Sequence, residues 1–169
     1  MYMSNSQDNL QAAFAGESQA NRRYLFFAEK AEKDGHPQIA RLFRAVAEAE
    51  TVHARNHLST SGNIKSTKEN LAEAIGGEHY EFTKMYPEFI EQAKSEGVKK
   101  AEVTFDFANK VEKIHHALYE KALQALEGNQ KLEEKPLFVC QVCGYTVENA
   151  APDKCPICGA PQTRFKNMD

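Results

Sequence analysis

No apolar run in this chain reaches the ~18 residues that a membrane-spanning helix needs. No run of Lys and Arg marks an electrostatic footprint for nucleic acid, and the net charge is only −3. The N-terminal stretch MYMSNSQDNLQ has neither a basic n-region nor an apolar h-region, so no secretory leader is expected there. These absences predict a cytoplasmic location, no membrane partner and no nucleic-acid partner. Cysteine is missing until Cys140, and all four cysteines sit near the C-terminal end. In a reducing cytosol such a cluster predicts metal binding and not a disulfide framework.

The chain that remains is 169 residues long, 41% hydrophobic and 27% charged, enough for one ordinary domain and a small second one. It divides at about residue 135, into a helical domain over 1–134 and a small domain over 135–169. The first helix is expected from about Gln7 to Lys33, where Asp34-Gly35-His36-Pro37 ends it. Pro37 suits the first turn of a second helix, which runs to about Leu58. So short a link makes the two helices antiparallel neighbours. Ser66 with Glu69 reads as a capping box that opens the third segment, where Gly76-Gly77 and Pro87 predict a bend or an interruption. A fourth helix is expected from about Lys99 to Glu127, followed by a polar linker to Lys135.

Each helical segment has a stripe at spacings of three and four that should face the core. The first stripe reads Leu10, Phe14, Glu17, Asn21, Tyr24, Ala28 and Ala31. The second reads Ile39, Phe43, Val46, Glu50, His53 and His57; the third Leu71, Ile75, Glu78, Glu81 or Phe82, Met85 and Phe89. The fourth reads Phe105, Ala108, Glu112, His115, Tyr119, Ala122 and Leu126. Every stripe carries a carboxylate near the middle of its helix. A lone Glu on an apolar stripe usually marks a solvated edge. Four at matched depth do not, because an ionised carboxylate in a dry bundle costs several kcal/mol even after relaxation. Glu50 with His53, and Glu112 with His115, repeat a Glu-x-x-His spacing that puts both side chains on one helix face. Two such pairs plus a Glu from each of two further helices form the ligand set of a di-iron carboxylate site in a four-helix bundle. His116, four residues from Glu112, competes with His115, but the matching spacing at Glu50 favours His115. His36 and His79 read as loop and surface residues.

The C-terminal segment reads Cys140-Gln-Val-Cys143-Gly144 and Cys155-Pro156-Ile-Cys158-Gly159. Two Cys-x-x-Cys knuckles close a four-thiolate tetrahedral site, and the glycine after each permits a tight turn whose amides can point at sulfur. Spacing alone suits zinc and iron equally. The segment from Pro136 on is too short to hold an apolar core unaided, so the metal supplies folding energy; Phe138, Tyr145 and Phe165 are the residues available to pack around it.

With these residues in hand, the chain resembles the rubrerythrin family over nearly its whole length. The motifs that carry the resemblance are Gly16-Glu17-Ser18-Gln19-Ala20, Glu50-x-x-His53, Gly77-Glu78-x-x-Glu81, Met85-Tyr86-Pro87-Glu88-Phe89, Glu112-x-x-His115 and the two knuckles. The resemblance implies a mainly α fold, a ferritin-like four-helix bundle followed by a small rubredoxin-like domain. It implies that Glu50 and Glu112 bridge two irons, that Glu17 is terminal on the first, and that Glu78 and His115 are terminal on the second. It further implies that Glu81 and His53 alternate on the first iron with redox state. Tyr24 would hydrogen-bond to a ligand or to bound peroxide, and Cys140, Cys143, Cys155 and Cys158 would hold a third iron. That choice of iron over zinc comes from the resemblance.

The implied activity is reduction of hydrogen peroxide to water, with electrons relayed singly through the four-cysteine iron from a redox protein or reductase, in a homodimer or higher homo-oligomer. In the family the tail site serves a neighbouring subunit's di-iron site. The five carboxylates exceed the charge of two ferrous ions by one, which His53 in place of Glu81 would correct. Two ferric ions with a bridging hydroxide would balance all five. Two other classes stand beside this reading. A ferroxidase or dioxygen-reducing protein could use the same bundle, although iron storage needs no reductase arm. A non-catalytic assembly module with a zinc ribbon would not need five seam carboxylates.

Overall fold

The computed structural model describes residues 5–168. Residues 1–4, part of the stretch read above as no secretory leader, and residue 169 lie outside them. The chain forms two compact units, Met1–Lys65 and Ser66–Asp169.

The first unit is a helical hairpin of α1 (Ser6–Lys33) and α2 (Pro37–Thr60). Asn5 opens α1 with a reciprocal cap: its side chain accepts from the Asp8 amide at 3.0 Å, and Asp8 accepts from the Asn5 amide at 3.4 Å. Gly35, at φ +82°, makes the reversal, and Pro37 lies in the first turn of α2 as its missing N–H allows. Asn21 meets Ala47 while Glu32 meets Arg44, the reversed order of antiparallel neighbours. Ala28, Ala31, Ala40 and Ala47 fill the contact strip. Small side chains there bring the two backbones close. Asn21, expected only as part of an apolar stripe, fastens the hairpin: its amide donates to the Ala47 carbonyl at 2.7 Å and to Thr51 Oγ1 at 2.9 Å. Ile39 and Val46, expected to face a core, are 48% and 36% exposed. Two helices can cover only the strip along which they touch.

The second unit starts at the expected capping box. The Glu69 amide donates to Ser66 Oγ at 3.3 Å, and the Ser66 amide to Glu69 Oε2 at 3.1 Å. Helix α3 (Thr67–Tyr80) runs straight through Gly76 and Gly77. The interruption comes later, as a π-helical turn over Glu81–Met85, before α4 (Tyr86–Ser95). Pro87 has no N–H to return to the Thr83 carbonyl, so the regular ladder could not have continued there. The Tyr86 amide instead bonds to the Glu81 carbonyl across the wider turn. Helix α5 (Lys99–Glu127) packs against both α3 and α4. Phe89 and Phe105, with ring centres 5.5 Å apart, close the α4 contact.

The C-terminal segment is a small antiparallel sheet in the order β2-β1-β3, from β1 (Leu137–Cys140), β2 (Thr146–Glu148) and β3 (Phe165–Asn167). Tyr145 and Phe165 meet edge-on at 6.2 Å. This sheet sits on α5 of its own unit. Val111, only 2% exposed, lies under Gly144, and Lys121 pairs with both Glu148 oxygens at 2.8 and 2.6 Å.

Removing the Asn21 side chain amide should loosen the hairpin. Asn21→Ala deletes two interhelical hydrogen bonds and leaves the Ala47 carbonyl with fewer partners, a loss of about 1–3 kcal/mol. Urea unfolding should show a lower midpoint with an unchanged slope. An unchanged midpoint would remove Asn21 as the fastening.

Candidate metal centres

Among the described residues, three groups bring possible ligand atoms within 4.8 Å of one another. The first joins Glu17 of α1 to Glu50 and His53 of α2. Glu50 Oε2 and His53 Nδ1 are 3.0 Å apart, as one helical face with three-residue spacing requires. Asn21, one turn beyond Glu17, holds to Thr51, the neighbour of Glu50, so the hairpin fastening also sets the register of this cluster. The imidazole of His53 is half exposed, whereas Glu50 is mostly covered.

The second group joins Glu78 of α3 to Glu112 and His115 of α5. His115 Nδ1 lies 2.7 Å from Glu112 Oε2 and 3.8 Å from Glu78 Oε2. Burial pushes the Glu78 carboxyl up to about 7, and the hydrogen bond and charge of Glu112 add to it. Burial acts the same way on Glu112, but its hydrogen bonds with His115 and Glu78 outweigh burial and hold it below the usual range. The hydrogen bond to Glu112 raises His115. Glu78 Oε2 is buried and has no hydrogen-bond partner. A buried carboxylate oxygen without a donor costs free energy unless something positive reaches it.

Glu81 belongs to neither group but faces the second. Burial raises its carboxyl, followed by the charge of Glu112. Tyr24 is half-buried beside Phe27 and Phe43, with ring centres 6.3 and 6.2 Å away. Phe82, the alternative to Glu81 on the third stripe, packs against His79 and His116 at 5.3 and 5.4 Å. His116 pairs with Glu120 at 3.4 Å and belongs to none of the three groups. His36 sits before the first turn of α2, and His57 in its last turn.

Two residues beside these groups escaped the sequence reading. Tyr86, whose ring lies 6.3 Å from those of Phe89 and Phe105, has its phenol raised by burial and then by the charges of Glu112, Glu81 and Glu78. Five residues after Glu81 is not the same face of a regular helix; the π turn makes it so. Thr146 Oγ1 lies 3.0 Å from His115 Nε2, a contact between α5 and β2 that no local pattern encodes.

The third group is Cys140, Cys143, Cys155 and Cys158. Cys140 and Cys158 sulfurs are 3.7 Å apart, and Cys143 and Cys155 sulfurs 3.5 Å. A tetrahedron with metal–sulfur bonds of about 2.3 Å has edges of about 3.8 Å. Gly144 and Gly159 adopt φ of +85° and +74°, and their amides close onto the Cys140 and Cys155 carbonyls at 2.9 Å. Burial raises the Cys143 thiol. Burial opposes ionisation of Cys155 too, yet the backbone amides of Cys158 and Ile157 pull that thiol down. Amides aimed at sulfur favour thiolate, the form that binds metal.

The donor sets fit the metal. The orphaned Glu78 oxygen points to a cation in the carboxylate–histidine group, and the sulfur spacing to one among the cysteines. Iron accepts both sets.

Comparison with known proteins agrees. The rubrerythrin family model matches residues 8–123, and the model of the rubrerythrin rubredoxin-like domain matches 138–166. The chain is 39% identical to rubrerythrin of Porphyromonas gingivalis, over 98% of this chain and 90% of that protein. It is 36% identical to rubrerythrin-2 of Clostridium acetobutylicum, over 94% of each. A structure of fully reduced, all-ferrous nigerythrin superposes with a TM-score of 0.58 at 32% identity, covering 99% of this chain and 89% of that one. With no helix among the described residues long and apolar enough to cross a membrane, a ferritin-like helical part, a rubredoxin-like tail and iron as cofactor, the chain belongs to the rubrerythrin family.

Proposed function

We propose that this chain is a non-haem di-iron peroxidase that reduces hydrogen peroxide to water in the cytoplasm, as a defence against oxidative stress. The observation that carries the reading is the pairing, on a single helix, of a carboxylate–histidine group at Glu112 and His115 with a docked four-cysteine domain. Storage of iron needs the first and has no use for the second. Members of this family are generally oxidoreductases.

In this reading Glu50 and Glu112 would bridge the two irons, Glu17 would be a terminal ligand to one, and Glu78 and His115 would be terminal ligands to the other. Cys140, Cys143, Cys155 and Cys158 hold a third. When bound, the iron pair supplies two electrons together, and the thiolate iron supplies them one at a time. Each peroxide consumes two electrons and two protons and yields two waters. The protein's part is to hold carboxylates, protons and substrate in place. Tyr86 keeps its proton, since burial and three carboxylates all oppose its loss, so its hydroxyl remains a donor. Tyr24 is the second phenol proposed to face a ligand or peroxide. Glu81 is proposed to trade places with His53 on the first iron as oxidation state changes. Its position on a π-helical turn suits a side chain that must move, since that turn departs from the tight regular ladder.

A redox protein or reductase delivers the electrons. A homodimer or higher homo-oligomer is the proposed assembly. Phe26 and Leu42, each 61% exposed, and Ile39 leave the hairpin with more apolar surface than a lone helix pair keeps in water.

Three outcomes test these assignments. Cys143→Ser should abolish the red thiolate–iron colour and steady-state turnover with an external reductant, while the reduced carboxylate centre still reacts once with peroxide; undiminished turnover would remove the relay role. Metal analysis should find less bundle iron in Glu112→Ala than in Glu17→Ala, because a bridging ligand touches both metals; equal retention counts against the bridge. Crystals of the oxidised and reduced protein should show Glu81 near the metal in one state and His53 in the other. Identical ligands in both states would make Glu81 a permanent fifth carboxylate.

A further inference from the structure

His115 is engaged at both ring nitrogens. Nδ1 faces Glu112 Oε2 at 2.7 Å and Glu78 Oε2 at 3.8 Å, while Nε2 lies 3.0 Å from Thr146 Oγ1. Thr146 opens β2, three residues after Cys143, and its hydroxyl donates to the Gly144 carbonyl at 3.0 Å. A threonine hydroxyl has a single proton. With that proton on the carbonyl, the oxygen can only accept from His115, so Nε2 must be the donor. Nδ1, which donates to Glu112 Oε2 while no cation is there, is then the nitrogen that a cation held by Glu78 and Glu112 would take.

We propose that Thr146 is a positioning residue for His115, fixing the imidazole in its Nε2–H form so that Nδ1 is free for metal. The proposal rests on the reading of His115 as a metal ligand. Outer partners of this kind are what orient a ligating histidine, and here the partner comes from the cysteine domain. The fold holds it in place. Thr146 is paired with Val139 in the β1–β2 ladder, Gly144 sits over the buried Val111, and Glu148 is tied to Lys121. The same hydroxyl therefore joins the two metal-binding parts of the second unit by two consecutive hydrogen bonds, from His115 to the backbone beside Cys143. The cleft of about 470 Å³ that opens onto this junction is lined by Leu118, Ala122, Leu132 and Leu137 together with Tyr119, Lys121 and Glu148, the last two already paired with each other.

The test uses the full-length, iron-loaded protein with Thr146→Val, Thr146→Ala and Thr146→Ser. Ferrous-ion affinity of the carboxylate sites is measured by chelator competition, with the thiolate–iron colour reporting an intact tail. Nitrogen-15 spectra of labelled histidine in the zinc-loaded protein report which ring nitrogen of His115 carries the proton. Removal of the hydroxyl should weaken ferrous binding by about tenfold and abolish the protected Nε2–H signal, with the colour retained. Serine should restore both. The proposal is overturned if the valine and alanine variants keep wild-type affinity and the same protonated nitrogen. His115→Ala separates the two levels: full metal retention in that variant removes His115 as a ligand, whereas metal loss there with silent Thr146 variants removes only the positioning role.

Discussion

The burial of carboxylates against one another is the constraint on which the rest of this structure depends. Glu78 and Glu112 approach a single imidazole inside a helical unit, and one Glu78 oxygen is left with no donor. Like charges held this close in a partly dry setting repel, and the protein answers by letting Glu78 hold a proton near neutrality. That answer is provisional. A bound cation removes the repulsion and satisfies the orphaned oxygen, so the same crowding that burdens the metal-free helices is what gives the site its affinity. Stability and metal binding are two readings of one arrangement.

Helical spacing does most of the assembly. Glu-x-x-His sets two ligands on one face with no help from distant sequence, and the helix supporting it needs only a third carboxylate from its neighbour. In the first unit that neighbour is held in register by Asn21, a polar residue on a stripe that would otherwise slide. The second unit reaches the same result with a different device. There the π turn at Glu81–Met85 absorbs Pro87 and shifts the helix face, so that Glu81 and Tyr86 both look toward the carboxylates. A regular helix would have presented only one of the two.

What was legible in the sequence follows from this division. Caps at Ser66, the turn at Gly35, the span of α5 and the pairing of Glu50 with His53 and of Glu112 with His115 all depend on contacts within a few residues or on helical period, and those patterns are written locally. The four cysteines declare themselves for the same reason. Tyr86 was hidden because its relation to Glu81 depends on a change of helix type, which period-based reading assumes away. The interruption expected of the segment with Gly76-Gly77 and Pro87 falls on the proline side, at Glu81–Met85, while Gly76 and Gly77 stay helical because packing on α5 outweighs a propensity cost of about 1 kcal/mol per glycine. The stripes also promised more burial than Ile39 and Val46 receive, because periodicity tells which face is apolar and not what covers it.

Thr146 marks the limit of sequence reading most clearly. Nothing in CGYTVE distinguishes its threonine from any other β-branched strand residue. Its meaning comes only from a docking between residues 31 positions apart. That docking gives the second unit a property neither part has alone. The cysteine knuckle is rigid because glycines at Gly144 and Gly159 lock its turns, and the imidazole is rigid because both of its nitrogens are engaged. Two stiff parts joined by directed hydrogen bonds keep a fixed separation. That separation is set within one unit, by α5 and the small sheet docked on it.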